Sequence, residues 1–178
     1  MNRENNLKTF IVRCGEVALK GKNKPYFERV LVERIRRALG EPRDISVKRQ
    51  EGLIFIKAPE SCDEEDIIKK VRKVFGVASI SPAVEAESDL DSIGEAAVLF
   101  MLKQIEKRGI KTFKVETNRA DKNFPAKSPE ISRIIGAKIL IGCKVLKVDV
   151  HDPDCILFIN VRREKTYVFE NRITGMGG

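Results

Sequence analysis

Long apolar runs are missing from this 178-residue chain: stretches such as Ile54–Ile56 and Cys155–Ile159 fall far short of the roughly 18–20 residues that span a bilayer. A membrane span is therefore not expected. The start, Met1-Asn-Arg-Glu-Asn-Asn-Leu-Lys8, has neither the apolar core nor the small-residue cleavage site of a secretory signal, so a cytoplasmic protein is predicted. Cysteine is sparse and badly spaced for metal: the four lie at Cys14, Cys62, Cys143 and Cys155, with no CxxC among them, and read as free thiols. The single histidine, His151, sits among aspartates in an Asp-Pro-Asp turn, where a capping or solvated role fits better than a metal ligand. Metal and triad catalysis both lack their residues.

What the chain has is charge and enough apolar residues to fold. Its 42% hydrophobic and 34% charged content exclude a disordered chain, and its length suits two small domains better than one. The balance of 34 Lys and Arg against 26 Asp and Glu gives +8, which attracts polyanions. Residues 103–147 hold twelve basic against four acidic residues, and residues 13–37 hold eight against three. Between these blocks Glu85, Glu87, Asp89, Asp91 and Glu95 form an acidic interval. A general solubility bias would not be divided this way.

Periodicity gives the organisation. Lys8–Arg13 reads as a strand, and Phe27, Val30, Leu31, Ile35, Ala38 and Leu39 recur at helical spacing until Gly40 and Pro42 end the run, leaving Arg29, Arg36 and Arg37 to solvent. Residues 45–48 and 53–57 form a hairpin around Gln50-Glu-Gly52. Ser61-Cys-Asp-Glu64 has capping-box spacing and opens a helix whose stripe is Ile67, Ile68, Val71, Val74 and Phe75, before a strand at 77–80. The order β-α-β-β-α-β is ferredoxin-like and occupies residues 1–80. Residues 81–178 form a second α/β domain: a helix capped by Ser88 or Asp89 and closed by Gly109, a strand at 112–117, a helix opened by Ser128-Pro-Glu130, and strands at 145–150, 155–161 and 166–169. The fold class is thus α/β (α+β), with two successive domains.

Two loops concentrate phosphate-binding chemistry. Gly15-Glu-Val-Ala-Leu-Lys-Gly21-Lys22 is not a Walker A loop, because five residues separate the glycines and Asn23 follows the lysine. Even so, Lys20, Lys22, Asn23 and Lys24 gather at a helix start, where free amides and the dipole favour a phosphate, although a solvated loop would look the same. In the second domain Lys114, Arg119, Lys122, Asn123, Lys127 and Arg133 surround one loop and the next helix start. They suit nucleic acid, whereas Phe124, followed by Pro125, reads as a core plug and not a stacking platform. Gly175-Met-Gly-Gly178 fits GxxG only trivially.

Glu16-Val-Ala-Leu-Lys20-Gly-Lys-Asn-Lys-Pro25-Tyr-Phe-Glu28 closely resembles the N-terminal signature of tRNA 4-thiouridine synthetases, also called thiamine-biosynthesis sulfurtransferases. Phe113–Arg119, Phe124, Ser128, Glu130, Gly136, Val148-Asp149-Val150 and Pro153 resemble a THUMP domain, and Arg172–Gly178 is similar to that domain's exit. The resemblance implies an N-terminal ferredoxin-like domain followed by a THUMP domain that together bind tRNA, with THUMP receiving the single-stranded 3′ end. It implies as partners a PP-loop catalytic domain or protein, which uses ATP and magnesium to adenylate uridine 8, and a persulfide sulfur donor. That domain's Ser-Gly-Gly-x-Asp-Ser loop has no counterpart here, and no cysteine matches a catalytic position. The chain is accordingly expected to bind without catalysing and to hold no cofactor of its own. Another THUMP-bearing tRNA-modifying enzyme, or a small-molecule-binding regulatory protein, remains the alternative, and homodimer formation stays open.

Overall fold

The structure is a computed structural model of the chain and describes residues 7–15, 21–170 and 173–175. By backbone proximity it divides into two compact units, Met1–Pro82 with Asn171–Gly178, and Ala83–Glu170. None of the described helices is long and apolar enough to cross a membrane.

The first unit runs β1 (Leu7–Cys14), α1 (Lys24–Ala38), β2 (Ser46–Gln50), β3 (Leu53–Pro59), α2 (Glu64–Val71) and the first half of β4 (Val77–Glu87). Its strand order is β2-β3-β1-β4, with β3 antiparallel to both β1 and β2. This is the ferredoxin-like arrangement expected from the element order. In β1 Phe10, Ile11 and Val12 are all buried, and because successive side chains point to opposite faces, both faces of this strand are covered. Leu31, Ile35, Ile67 and Val71 from the two helices pack with Phe10, Val12, Ile54 and Ile56. Removing that apolar area from water is what orders two helices too short to persist alone.

The hairpin turn is tight. Gln50 pairs with Leu53, and Glu51 and Gly52 carry φ of 49° and 82°. Two left-handed residues in a two-residue loop match the twist of the strands they join. Open space surrounds the position where a Cβ would stand on Gly52. Gly52→Ala should therefore cost about 1–2 kcal/mol through backbone conformation alone. Urea unfolding checks this, and an unchanged midpoint would mean that the turn relaxes instead.

Three local expectations change. Ser61 does not cap α2; Asp63 does, its Oδ1 accepting from the Glu65 amide at 3.1 Å, because Cys62 N–H is already turned back to Pro59 O. Phe75 lies beyond the end of α2 at Val71 and is exposed, and Phe27, expected in the buried stripe of α1, is exposed too. Arg36 does reach the surface, but its guanidinium is engaged by Glu33 at 2.8 Å and by Val47 O at 2.9 Å.

The second unit comprises the rest of β4, α3 (Leu90–Arg108), β5 (Thr112–Arg119), α4 (Ser128–Gly142), β6 (Lys147–Val148), β7 (Cys155–Val161) and β8 (Lys165–Glu170). Its order is β4-β8-β7-β5-β6, with β5 parallel to β6 and β7, and β8 antiparallel to β7 and β4. Ile93, Ala97 and Met101 of α3 and Ile131, Ile135 and Ile139 of α4 pack with Phe113, Leu157 and Val168. Asp89, one of the two expected caps, holds Ser92 N–H at 2.8 Å, and Gly109 at φ 61° closes α3. Ser88 instead bonds Arg162 O and Thr166 Oγ1 across the fold. Ser128 lies inside α4, whose N-cap is Lys127 with no side-chain bond. The strand expected at 145–150 shrinks to two residues, because Asp149 Oδ1 accepts the amides of His151 and Asp152 and turns the chain away. The final strand β9 (Ile173–Thr174), expected as part of an exit linker from the second domain, pairs antiparallel with Ser79–Ile80 of the first unit.

Candidate nucleic-acid interface

The two basic loops belong to different units and are built differently. In the first, Gly21 takes φ 99° and the chain enters α1 through Asn23, whose carbonyl receives the Phe27 amide at 3.1 Å while its side chain caps nothing. Lys22 and Asn23 are exposed and Lys24 is half-buried, but the first turn offers an anion little more than the Tyr26 amide, since Lys24 N–H is bonded to Gly21 O at 3.4 Å and Pro25 has no N–H. Lys20, the fourth member predicted here, lies outside the described residues, as do Glu16–Leu19 of the signature.

The outer face of α1 extends this surface. Tyr26, Arg29, Val30, Glu33, Arg34 and Arg37 line a shallow groove at steps of three and four residues, opposite the buried Leu31 and Ile35. Tyr26 is well exposed, its ring set edge-on to Phe27 at 5.8 Å. Tyr26 and Arg34 join Arg29 and Arg37 on this face through the 26-30-34 and 26-29-33-37 steps, a signal present in the sequence. Glu28 on the opposite face is 3% exposed and pairs with Arg49, which explains its place in the signature as a structural anchor. Nearby Cys14 has its thiol pushed up by burial and by Glu28.

The second loop follows β5 and is held at several points. The amides of Ala120 and Asp121 bond Val161 O at 2.9 and 3.2 Å, and Asp121 Oδ1 accepts from the Asn123 amide at 2.9 Å. Phe124 and Ala126 are buried in the core cluster, the plug that Phe124 was expected to be. Arg119 Nη1 donates to Phe124 O and Ala126 O, each at 3.2 Å, and Thr117 Oγ1 meets Ser132 Oγ of α4 at 2.8 Å. The outward-facing residues of this anchored loop are Lys122, Asn123, Pro125 and Lys127, with exposed Arg133 on the helix that follows.

The structure thus brings Lys122, Asn123 and Lys127 onto one loop. It separates Lys114, which is ion-paired with Glu116 at 2.6 Å and stands five strand residues before Arg119, roughly 16 Å away at about 3.3 Å per residue. Arg119 is half-buried and braces the loop from within. No sequence pattern distinguishes a bracing arginine from a free one.

The buried thiols are chemically quiet. Burial raises those of Cys14 and Cys143, and that of Cys155 is pushed up to about 12 by burial and the nearby Glu170 carboxylate. A thiol so protonated is a poor nucleophile at neutral pH. Among the described residues no group of three His, Cys, Asp or Glu could hold a metal ion.

Comparison with known proteins agrees with both halves of this picture. Residues 9–81 match the ThiI ferredoxin-like domain and residues 87–170 the THUMP domain. The chain is 44% identical over 168 residues to a probable tRNA sulfurtransferase of Alkaliphilus metalliredigens, covering 94% of this chain and 42% of that protein. It is 41% identical to another from Acetivibrio thermocellus, covering 96% of this chain and 44% of that protein. It therefore spans less than half the length of these curated relatives. Among solved structures, a 4-thiouridine synthetase in complex with RNA and with bound ATP superposes with a TM-score of 0.83 at 34% identity, covering 97% of this chain and 43% of that one. PH1313 from Pyrococcus horikoshii Ot3 gives 0.82 at 30%, covering 96% and 56%. The first unit is thus a ThiI ferredoxin-like domain and the second a THUMP domain.

Proposed function

We propose that this chain is a tRNA-binding module that presents the acceptor stem and 3′ end for 4-thiolation of uridine 8 by a PP-loop catalytic domain. The observation that carries the reading is the fit, over 97% of the chain, to a 4-thiouridine synthetase whose structure includes RNA. The exposed Lys22, Asn23, Lys122, Asn123, Lys127 and Arg133 supply phosphate-neutralising and hydrogen-bonding groups. ATP, magnesium and the persulfide donor serve the catalytic domain, and the setting is the cytoplasm.

Electrostatics provides the test. Each lysine or arginine that neutralises a phosphate releases counterions, so log affinity for tRNA should fall linearly with log salt, by about 0.7–0.9 per contact. A flat response in filter binding would remove the mechanism and favour the small-molecule regulator. The division of labour has its own check: with tRNA, ATP, magnesium and a persulfide donor, this chain alone should yield no 4-thiouridine absorbance. Appearance of that absorbance would overturn the binding-only role.

A further inference from the structure

One turn of the first unit holds a large aromatic ring out in solvent. Phe75 is 63% exposed, although the backbone around it is fixed. Val77 N–H donates to Val74 O at 3.1 Å, Gly76 at φ 101° takes the third position of that turn, and Gly76 O accepts the Gly15 amide at 2.8 Å. Val74 is buried, so Phe75 stands at the tip of an anchored turn. The turn also abuts α1, because a Cβ on Gly76 would lie 3.3 Å from Leu31 Cδ1. One helical turn before Leu31, on the same face, is Phe27, 42% exposed, with the 59%-exposed Tyr26 set edge-on to it. Three exposed rings thus gather at the end of the unit where β1 stops and β4 starts. A single exposed ring is ordinary, but three around a turn that a polar residue would satisfy equally well mark a contact surface.

The charge around these rings has one sign. Lys22, Arg72 and Lys73 are exposed at this end and have no hydrogen-bond or ion-pair partner among the described residues. The acids of α2, Glu64, Glu65 and Asp66, occupy its first turn, at the opposite end. We propose that Phe75 is a stacking platform for one unpaired base of the bound RNA, with Lys22, Arg72 and Lys73 neutralising the phosphates on either side of that nucleotide. The proposal rests on the tRNA reading and adds to it a single-strand contact made by the first unit. Rings alone would suit an apolar protein surface. Rings among unpaired cations suit a base, whose π face meets the phenyl group while its phosphates meet the lysines and the arginine. Every base has such a face, so the contact selects for unpairing and not for base identity.

The test compares three blunt-ended RNA hairpins that differ at one place in the stem: fully paired, with one bulged nucleotide, or with the same bulge abasic. The wild-type chain should bind the bulged hairpin about tenfold more tightly than either of the others, whether the bulged base is adenine or uracil. Phe75→Ala should bind all three alike, at the affinity the wild type has for the paired one, and Phe75→Tyr should keep the preference. Phe75 is solvated, so melting should hardly move. Lys122→Ala with Lys127→Ala should also keep the preference, since blunt stems offer no single-stranded 3′ end. A wild type that binds the bulged and abasic hairpins equally, or a preference that survives Phe75→Ala, overturns the proposal and leaves the tRNA reading standing. A wild type that binds no tRNA at low salt removes that reading and the proposal with it.

Discussion

Lys122→Ala combined with Lys127→Ala is expected to erase most of the affinity difference between intact tRNA and tRNA trimmed of its single-stranded 3′ end. Both lysines are exposed on a loop whose backbone is fixed from beneath by Arg119, Phe124 and Val161. A charge-assisted contact to phosphate is worth about 1.5–3 kcal/mol, so each lysine should carry roughly a tenfold loss or more on intact tRNA. Trimmed tRNA, lacking what the loop grips, should respond little. Lys22→Ala on the first unit should instead weaken intact and trimmed tRNA by similar factors, because backbone contacts position a duplex without reading its end. All three side chains are solvated, so melting should hardly move. If trimming leaves wild-type affinity unchanged, the second unit does not receive the 3′ end.

The second large effect concerns the loop's anchor. Phe124→Ala removes a side chain buried among Ile131, Phe113 and their neighbours, and such truncations cost about 3–5 kcal/mol. For a unit of this size the melting temperature should fall by more than about 10 °C, and tRNA binding should fall with it. Arg119 separates anchoring from charge. Arg119→Lys keeps the positive charge, but its ammonium ends one bond short of the Nη1 position from which both Phe124 O and Ala126 O are reached. It should behave like Arg119→Ala, with amide exchange across residues 122–127 accelerated in the free protein. If Arg119→Lys binds tRNA as the wild type does while Arg119→Ala fails, the guanidinium is an RNA contact and the bracing role is wrong.

Much of this architecture could be read along the chain because its signals are local. Two glycines closing helices, an aspartate before Leu90, a two-residue turn between alternating runs and apolar residues at helical steps each act over a few residues. A local bond or backbone preference does not need to know what lies across the sheet. Comparison with family models then agreed with the resemblance carried by residues 16–28 and 113–153. The errors lie where a second, distant group competes. Asp63 displaced Ser61 as a cap because a turn through Cys62 N–H had already been made. Phe27 and Phe75 sit at apolar positions of a helical pattern, yet they fall outside the strip that the sheet covers.

The site divides the same way. Which loops are basic is a property of composition, and the sequence alone determined it, together with the two-domain order and the absence of metal-binding spacings. Which of the basic residues are free to meet RNA depends on partners many positions away or on the path of the backbone, and only the tertiary structure decided it. Lys114 stands near Lys122 in sequence but is carried back along β5 and paired with Glu116, because a strand advances about 3.3 Å with every residue. Arg119 lies next to the loop and turns under it, because the carbonyls of Phe124 and Ala126 need a donor and the two hydrogens of its Nη1 reach both. Charge is written residue by residue, whereas its availability is set by burial and hydrogen bonding, which exist only once the chain has folded.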